Sequence, residues 1–437
     1  GIVGYTGIFS WVTVTMTRYG GLPLPAAWWF ALMLAVYLSL YTAAFCAALC
    51  RFGRGNPPLR FALAPFLWTA LELLRTHLLT GLPWASLGYS QSAALPVIQV
   101  ADLTGVYGVS FLIVLVNAAL WGALRARIPG LARGGGRTAL WELGVAAALV
   151  AAALLYGRAR LETFRPPPGG GSLKVALIQG NISQDLKWSE ENLQKSLDTY
   201  LRLTLESARE KPDLIVWPET AAPFFFFRDK DLQAIILDVA AAGGAPILVG
   251  APSVEGRAGR YRLRNGAFLV TPEKRVDDRY DKMHLVPYGE YVPLQRWFPF
   301  IRKMVTGIGD FIPGKRRTVF RLAKAPFSVL ICYEVIFPDE VRRFVREGAR
   351  FLVNITNDAW FGRSAAPYQH MAMAALRAVE NRVPLVRAAN TGITGVVDAT
   401  GRIREATDLF VQTRVIARVE PGATPDTGTR SPTCPRA

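Results

Sequence analysis

Three reactive side chains stand at or near the ends of short apolar runs. Glu219 follows DLIVW (213–217) through Trp217-Pro218, and Cys332 follows FSVLI (327–331) and leads into Tyr333-Glu334. Lys282 sits in a more irregular segment, Tyr280-Asp281-Lys282-Met283-His284. A thiol is a strong nucleophile only as thiolate, so it needs a base or a positive neighbour. Glu219 offers the base. Lys282 offers a cation that holds the thiolate and then the oxyanion of a tetrahedral intermediate. With only three histidines, His77, His284 and His370, a His-based dyad would need His284 or His370, and neither has an obvious partner along the chain. Neither a metal nor an organic cofactor is expected. Taken singly, each candidate has a blander reading: a small core thiol, a turn carboxylate, a solvated lysine. Their joint appearance in ordered contexts favours chemistry.

The elements that must position these residues are short, β-branched and apolar. LKVALIQ (173–179), DLIVW (213–217), PILVG (246–250), FSVLI (327–331), FLVNI (351–355) and 385–389 read as buried strands. The spacing predicts amphipathic helices over 189–209 and 365–381. Strands alternating with helices give an α/β layered domain, and strand ends opening on one edge are where such domains place their chemistry. Asn357 and Asp358 follow FLVNI and are expected as structural hydrogen-bonders near the pocket.

The first third of the chain is different. Hydrophobic residues make up 51% of the whole, and they concentrate here. Residues 24–50 and 104–124 carry no charge, and 138–157 carries only Glu142, so each is long and apolar enough to cross a bilayer. Residues 61–79 are weaker because Glu72, Arg75 and His77 interrupt them. Glu72 and Arg75 are read as an interfacial pair, with a polar lining toward a lipid headgroup or substrate as the alternative. Residues 1–17 resemble the end of a further span, so the N-terminus is expected to be incomplete. The net charge is +17, and much of the excess Arg sits in short loops beside the spans. Arg51, Arg54 and Arg60 fill one, and Arg125, Arg127, Arg133 and Arg137 fill another, whereas 80–103 has no Lys or Arg. The positive-inside rule puts the Arg loops in the cytoplasm and everything after Arg158 outside it. No zinc-finger spacing, RNP-like motif or basic heptad region points to nucleic acid. The expected organisation is a transmembrane helical domain over 1–160, a Pro/Gly linker over 161–171, an extracytoplasmic catalytic domain over 172–420 and a polar tail over 421–437.

The segments VWPETA (216–221), YDKMHLVPYGEYVP (280–293) and ICYEVIFP (331–338) resemble the three blocks of the nitrilase, or carbon–nitrogen hydrolase, superfamily. That resemblance implies an αββα sandwich with Glu219 as base, Lys282 as electrophilic stabiliser and Cys332 as nucleophile. It also implies that Glu290 assists the triad. The layout, with GNISQDLKW (180–188), NITNDAWFG (354–362), RAANTGITGVVDATG (387–401) and LLTGLPWASLGYSQ (78–91), is similar to the apolipoprotein N-acyltransferase family. This implies a multi-pass protein of the inner membrane, monomeric, with its catalytic domain in the periplasm. The acyl donor would be a phospholipid, typically phosphatidylethanolamine. The acceptor would be the N-terminal amine of an S-diacylglyceryl-cysteine lipoprotein, reached through a Cys332 thioester in a ping-pong cycle.

Tyr333 and Glu334 match the family and are expected to position the nucleophile, with a main-chain N–H as oxyanion donor. Trp188, Phe224, Phe225, Trp297 and Trp360 are candidate substrate contacts. The run 224–227 is read as a loop touching lipid tails, and 292–315 as an aromatic and basic loop, either a mobile lid or a packed segment. The family also has further N-terminal spans and a terminal transmembrane helix, which this chain lacks, so a truncated or frame-altered end is expected. The competing readings are a membrane-tethered amidase acting on a small amide, and an inactive membrane scaffold that keeps the fold.

Overall fold

The computed structural model describes residues 1–128, 135–165, 171–183, 190–256, 261–291 and 311–423. The chain opens with two short helices, α1 (Ile2–Ile8) and α2 (Val12–Arg18). Phe9 and Trp11 turn the chain between them into an aromatic cluster, in which Trp11 lies 5.0 Å from both Trp84 and Phe361. Then come α3 (Leu24–Phe52), α4 (Pro57–His77), the single turn α5 (Leu95–Ile98), α6 (Ala101–Arg127) and α7 (Gly135–Thr163). Among the described residues three helices are long and apolar enough to cross a membrane: Leu24–Phe52, Ala101–Arg127 and Gly136–Thr163. In α4, Glu72 and Arg75 are both buried, yet they do not pair with each other. Glu72 accepts from Trp68 Nε1 (3.0 Å) and the Leu87 N–H (2.8 Å). Arg75 donates to Tyr5 Oη (3.1 Å) and Ser86 Oγ (3.2 Å). Both side chains therefore hold the 82–87 segment and not one another.

The α/β half contains twelve strands and four helices among the described residues. These are β1 (Leu173–Gln179), α8 (Glu190–Ala208), β2 (Leu214–Val216), α9 (Lys230–Gly243), β3 (Ile247–Glu255), β4 (Arg262–Thr271), β5 (Arg275–Asp281), β6 (Val319–Phe320) and β7 (Phe327–Ile331). They continue with α10 (Pro338–Arg346), β8 (Phe351–Thr356), α11 (Ala366–Asn381), β9 (Leu385–Ala389), β10 (Gly395–Val397), β11 (Ile403–Ala406) and β12 (Thr413–Val419). Two six-stranded sheets form, in the orders β12-β1-β2-β3-β4-β5 and β11-β10-β9-β8-β7-β6. Each has three parallel central strands flanked by antiparallel ones. Strand side chains alternate between faces. Leu173, Val175 and Leu177 of β1 accordingly enter the core shared with β7–β9, while Ala176 and Ile178 enter a second core with Tyr200 of α8 and Ile236 of α9. Burial on both faces explains why these strands read as continuous apolar runs. The fold is an αββα sandwich.

Helix α11 was expected to be amphipathic, but it is buried almost all round, because the membrane-side helix α6 covers the face that the sheet leaves open. Polar joints fix that contact. The Glu380 carboxylate accepts the Val106 N–H (2.8 Å) and pairs with Arg377 (2.8 Å), and Arg377 also reaches Tyr89 Oη (3.1 Å). Asp102 receives Arg382 (2.6 Å), Arg160 (3.1 Å) and the Tyr156 hydroxyl (2.9 Å). His77 at the end of α4 meets Asp339 at 3.1 Å.

The Val106 N–H is free to leave helix α6 because Gly105 has φ +65° and ψ −174°. That region is open to glycine alone. A Cβ there would find ordinary room, at 3.6 Å from Tyr107, so the cost of a substitution is conformational. Gly105→Ala is expected to remove about 1–3 kcal/mol of stability. Thermal unfolding in detergent micelles would show this as a lowered midpoint, whereas an unchanged midpoint would contradict the assigned backbone.

Candidate active site

Glu219, Lys282 and Cys332 come from three different strand ends, and the sandwich folds them together. Cys332 opens a short 3₁₀ turn, Cys332–Ile336, with φ +53°. A non-glycine residue in that left-handed region is strained, a feature that clusters at functional sites. Lys282 is 1% exposed, and its ammonium lies 2.9 Å from Glu290 and 3.7 Å from Glu219. Asn265 of β4 donates its amide to both carboxylates, at 2.7 Å to Glu219 and 2.9 Å to Glu290. The Asn357 N–H reaches the other Glu219 oxygen at 2.9 Å, and the Val286 N–H reaches Glu290 at 2.9 Å. Two carboxylates, one ammonium and one amide therefore form a connected buried network in which each charge has a partner, as charges away from water require.

The Cys332 thiol senses this network. Burial pushes it well above the ordinary cysteine value, Glu219 adds to that push, and Lys282 opposes it. Burial pulls Lys282 down, but Glu290, Glu219 and Cys332 together outweigh it, so the ammonium holds its proton more firmly than a free lysine. The resting sulfur is a thiol.

Glu334 ties the Cys332 turn to the lysine segment. One of its oxygens accepts the Ile331 N–H (2.7 Å). The other accepts the Tyr280 hydroxyl (2.6 Å) and the N–H groups of Met283 (2.7 Å) and His284 (3.1 Å). Burial pushes this carboxyl up to about 7, while the bonds from Tyr280 and Ile331 pull it down. Tyr333 points the other way, with its hydroxyl 3.4 Å from the Gly81 carbonyl of the helical half. A cavity of about 460 Å³ lies beside the lysine segment, lined by Thr80, Met283, His284, Leu285, Tyr291, Phe311 and Pro313. Thr80 belongs to the helical half, so both halves wall it.

Comparison with known proteins decides the family. Residues 174–426 match the carbon-nitrogen hydrolase model, and residues 1–119 match the model of the apolipoprotein N-acyltransferase N-terminal domain. An apolipoprotein N-acyltransferase from Geobacter metallireducens is 45% identical over 411 residues, covering 94% of this chain and 78% of the relative. This chain belongs to the apolipoprotein N-acyltransferase family. A second relative of that name, from Methylococcus capsulatus, is 36% identical over 431 residues, covering 97% of this chain and 81% of its own. Among solved structures, a nitrilase-superfamily amidase from Nesterenkonia AN1 aligns with a TM-score of 0.45 at 19% identity, over 59% of this chain and 94% of that one.

In this member of the apolipoprotein N-acyltransferase family the other expected contacts fall in several places. Phe224 and Phe226 are buried in the second core, where Phe226 stacks on Phe268 at 4.4 Å, while Phe225 is half-buried. Phe227 is exposed beside Lys230 and Arg279. The run is a turn whose rings alternate between the core and the surface. Trp360 packs edge-on against Tyr19 (4.8 Å), and its carbonyl accepts the Thr15 hydroxyl (2.9 Å), so it docks α2 and does not line the cavity. Trp188, Trp297 and most of the 292–315 loop lie outside the described residues. The histidines do have partners, contrary to expectation. His284 Nδ1 is 2.8 Å from Glu340, and His370 lies among Asp358, Arg387 and the Cys332 carbonyl. Asn265 was missed altogether. The only sequence signal for it is a polar residue in an otherwise apolar strand, RLRNGAFLVT.

Proposed function

We propose that this protein transfers a fatty acyl group from a phospholipid, through a thioester on Cys332, to the N-terminal amine of a diacylglyceryl-cysteine lipoprotein. The carrying observation is the cavity with a wall from each half. A site that takes an acyl chain from a bilayer needs a side facing the helical half, and Thr80, in the turn after α4, supports that reading. A small-amide hydrolase has no use for such a side.

The chemistry follows from the resting thiol. As sulfur attacks the ester carbonyl, its proton passes to Glu219. The oxyanion rests on the Lys282 ammonium and on the main-chain N–H of Tyr333. The C–O bond breaks, and Glu219 returns the proton to the leaving alkoxide of the lysophospholipid. The acceptor amine then attacks the thioester and passes a proton to Glu219. The C–S bond breaks, and the sulfur recovers that proton. Glu290 and Asn265 keep Glu219 and Lys282 apart yet in register throughout.

The orientation reading rests on charge. The helix ends that reach the α/β half include His77 and the start of α6, and the end of α7 joins them through Arg160 on Asp102. Arg51, Arg54 and Arg60 lie at the α3–α4 turn, and Arg125 and Arg127 lie at the far end of α6. By the positive-inside rule those ends are cytoplasmic and the catalytic half is periplasmic.

The test uses phosphatidylethanolamine vesicles carrying a labelled acyl chain, with a synthetic S-diacylglyceryl-cysteine peptide as acceptor. The expected result is N-acylated peptide and lysophospholipid in equal amounts. Release of free fatty acid with no acylated peptide would contradict the transferase reading.

A further inference from the structure

A second buried network sits behind the nucleophile, and the proposed triad chemistry does not use it. Its centre is His370 of α11, fully buried. One ring nitrogen, Nε2, lies 3.2 Å from the carbonyl oxygen of Cys332. The other, Nδ1, lies 2.9 Å from Arg387 Nη2 and 3.4 Å from Asp358 Oδ1. A guanidinium only donates, and a carbonyl oxygen only accepts. The two short contacts therefore fix one tautomer: Nδ1 accepts from Arg387, and Nε2–H donates to Cys332. Burial and Arg387 push the imidazole below its ordinary value, which keeps it neutral.

Arg387 is itself over-determined. It pairs with Asp358 at 2.8 Å and bonds the side-chain oxygen of Asn354. Burial raises the Asp358 carboxyl, but the Arg387 guanidinium leads the opposing pull and holds it below the usual carboxylate range. The same Asp358 takes the Thr356 hydroxyl at 2.9 Å. The open side of the imidazole is covered from the helical half. Trp84 lies with its ring centre 5.4 Å from that of His370, tilted by 32°, and donates Nε1–H to Gln369 at 2.7 Å. Trp84 in turn sits in the segment that Glu72 and Arg75 of α4 grip at Leu87 and Ser86.

A trans peptide is planar, with its C=O and N–H on opposite sides. Fixing the Cys332 carbonyl therefore aims the Tyr333 N–H in the opposite direction. It also holds the strained φ of +53° at the nucleophile, since such a conformation persists only where its surroundings over-determine it.

We propose that His370 is a positioning residue for Cys332, clamped between Arg387 of the α/β half and Trp84 of the helical half, so that the seating of the two halves sets the orientation of the nucleophile's peptide. This rests on Cys332 being the nucleophile. It adds a route by which membrane-side residues act on the chemistry without touching substrate.

The decisive pair is His370→Gln against His370→Asn, in the full chain. The Gln amide nitrogen falls where Nε2 sat and can still donate to Cys332. The Asn amide is one methylene shorter, falls at Nδ1 and cannot. Both variants leave the Asp358–Arg387 pair in place. The readouts are the rate of acyl loading from phosphatidylethanolamine and the rate of alkylation by iodoacetamide. Both are measured on the Cys332 peptide by mass spectrometry, which separates it from Cys46, Cys50 and Cys434. The expected result is a Gln variant within about threefold of the parent. The Asn variant should load at least about tenfold more slowly, with KM for the phospholipid unchanged. Trp84→Phe, which keeps a ring over His370, should resemble the parent, and Trp84→Leu should resemble the Asn variant. Equal loading by the Gln and Asn variants overturns the proposal. If the Asn variant does not fold, equal loading by Trp84→Phe and Trp84→Leu overturns it instead. Loading that persists at another residue in Cys332→Ala would sink the nucleophile assignment itself, a separate outcome from either of these.

Discussion

Replacing Cys332 by alanine is expected to lower acyl transfer by about 10⁴-fold or more, with the fold intact. The sulfur carries the covalent intermediate, so nothing else in the network can substitute for it. The side chain is small and contributes little packing, so thermal unfolding should shift by only a few degrees. Cys332→Ser is the sharper variant. A serine hydroxyl is close in size and accepts the same backbone, but it is a much poorer nucleophile without a stronger base, so activity should stay near the alanine level. Both variants should still bind phospholipid, because the cavity walls are untouched. Transfer at more than about a tenth of the parent rate in Cys332→Ala would remove the thioester from the account.

The second large effect belongs to Lys282. Lys282→Met keeps much of the side-chain length and removes the charge. Glu219 and Glu290 would then share Asn265 with no cation between them. Stripping one partner from a buried charge network costs about 3–5 kcal/mol, because the remaining charge is left uncompensated. Activity should fall by about 10³-fold, as it does when an oxyanion donor is lost. The lysine's proton is held above its ordinary value, so its contribution is fully present below that value and is lost only in strong alkali. The deficit should therefore be the same at pH 6 and pH 8. The double variant Lys282→Met, Glu290→Gln separates the two roles: it should recover much of the stability and none of the activity. Recovery of both would make Lys282 a structural cation only.

The reactive residues were legible because each follows or adjoins a short apolar run, and because a carboxylate, an ammonium and a thiol in ordered settings have few joint uses. The central strands were legible for the same reason: burial on both faces leaves them uniformly apolar. What the chain concealed is what depends on distant partners. Glu72 and Arg75, three residues apart on one helix, look like a pair, but the main chain and side chains of the 82–87 segment take both. Phe224–Phe227 looks like a surface loop, but it alternates into a core built from β3 and β4. β4 escaped notice because Arg264 and Asn265 interrupt its pattern, and Asn265 is the residue that bridges Glu219 and Glu290. His370 is an unremarkable helix residue until Trp84, from the other half of the chain, covers it. Functional positions are where local sequence rules are expected to fail.

The most direct measurement is the intact mass of the purified protein after incubation with phosphatidylethanolamine vesicles and no acceptor. The account predicts one added acyl group, located on Cys332, labile to hydroxylamine and discharged by a diacylglyceryl-cysteine peptide. A mass unchanged under conditions that support full transfer, or an acyl group on any other residue, would contradict it.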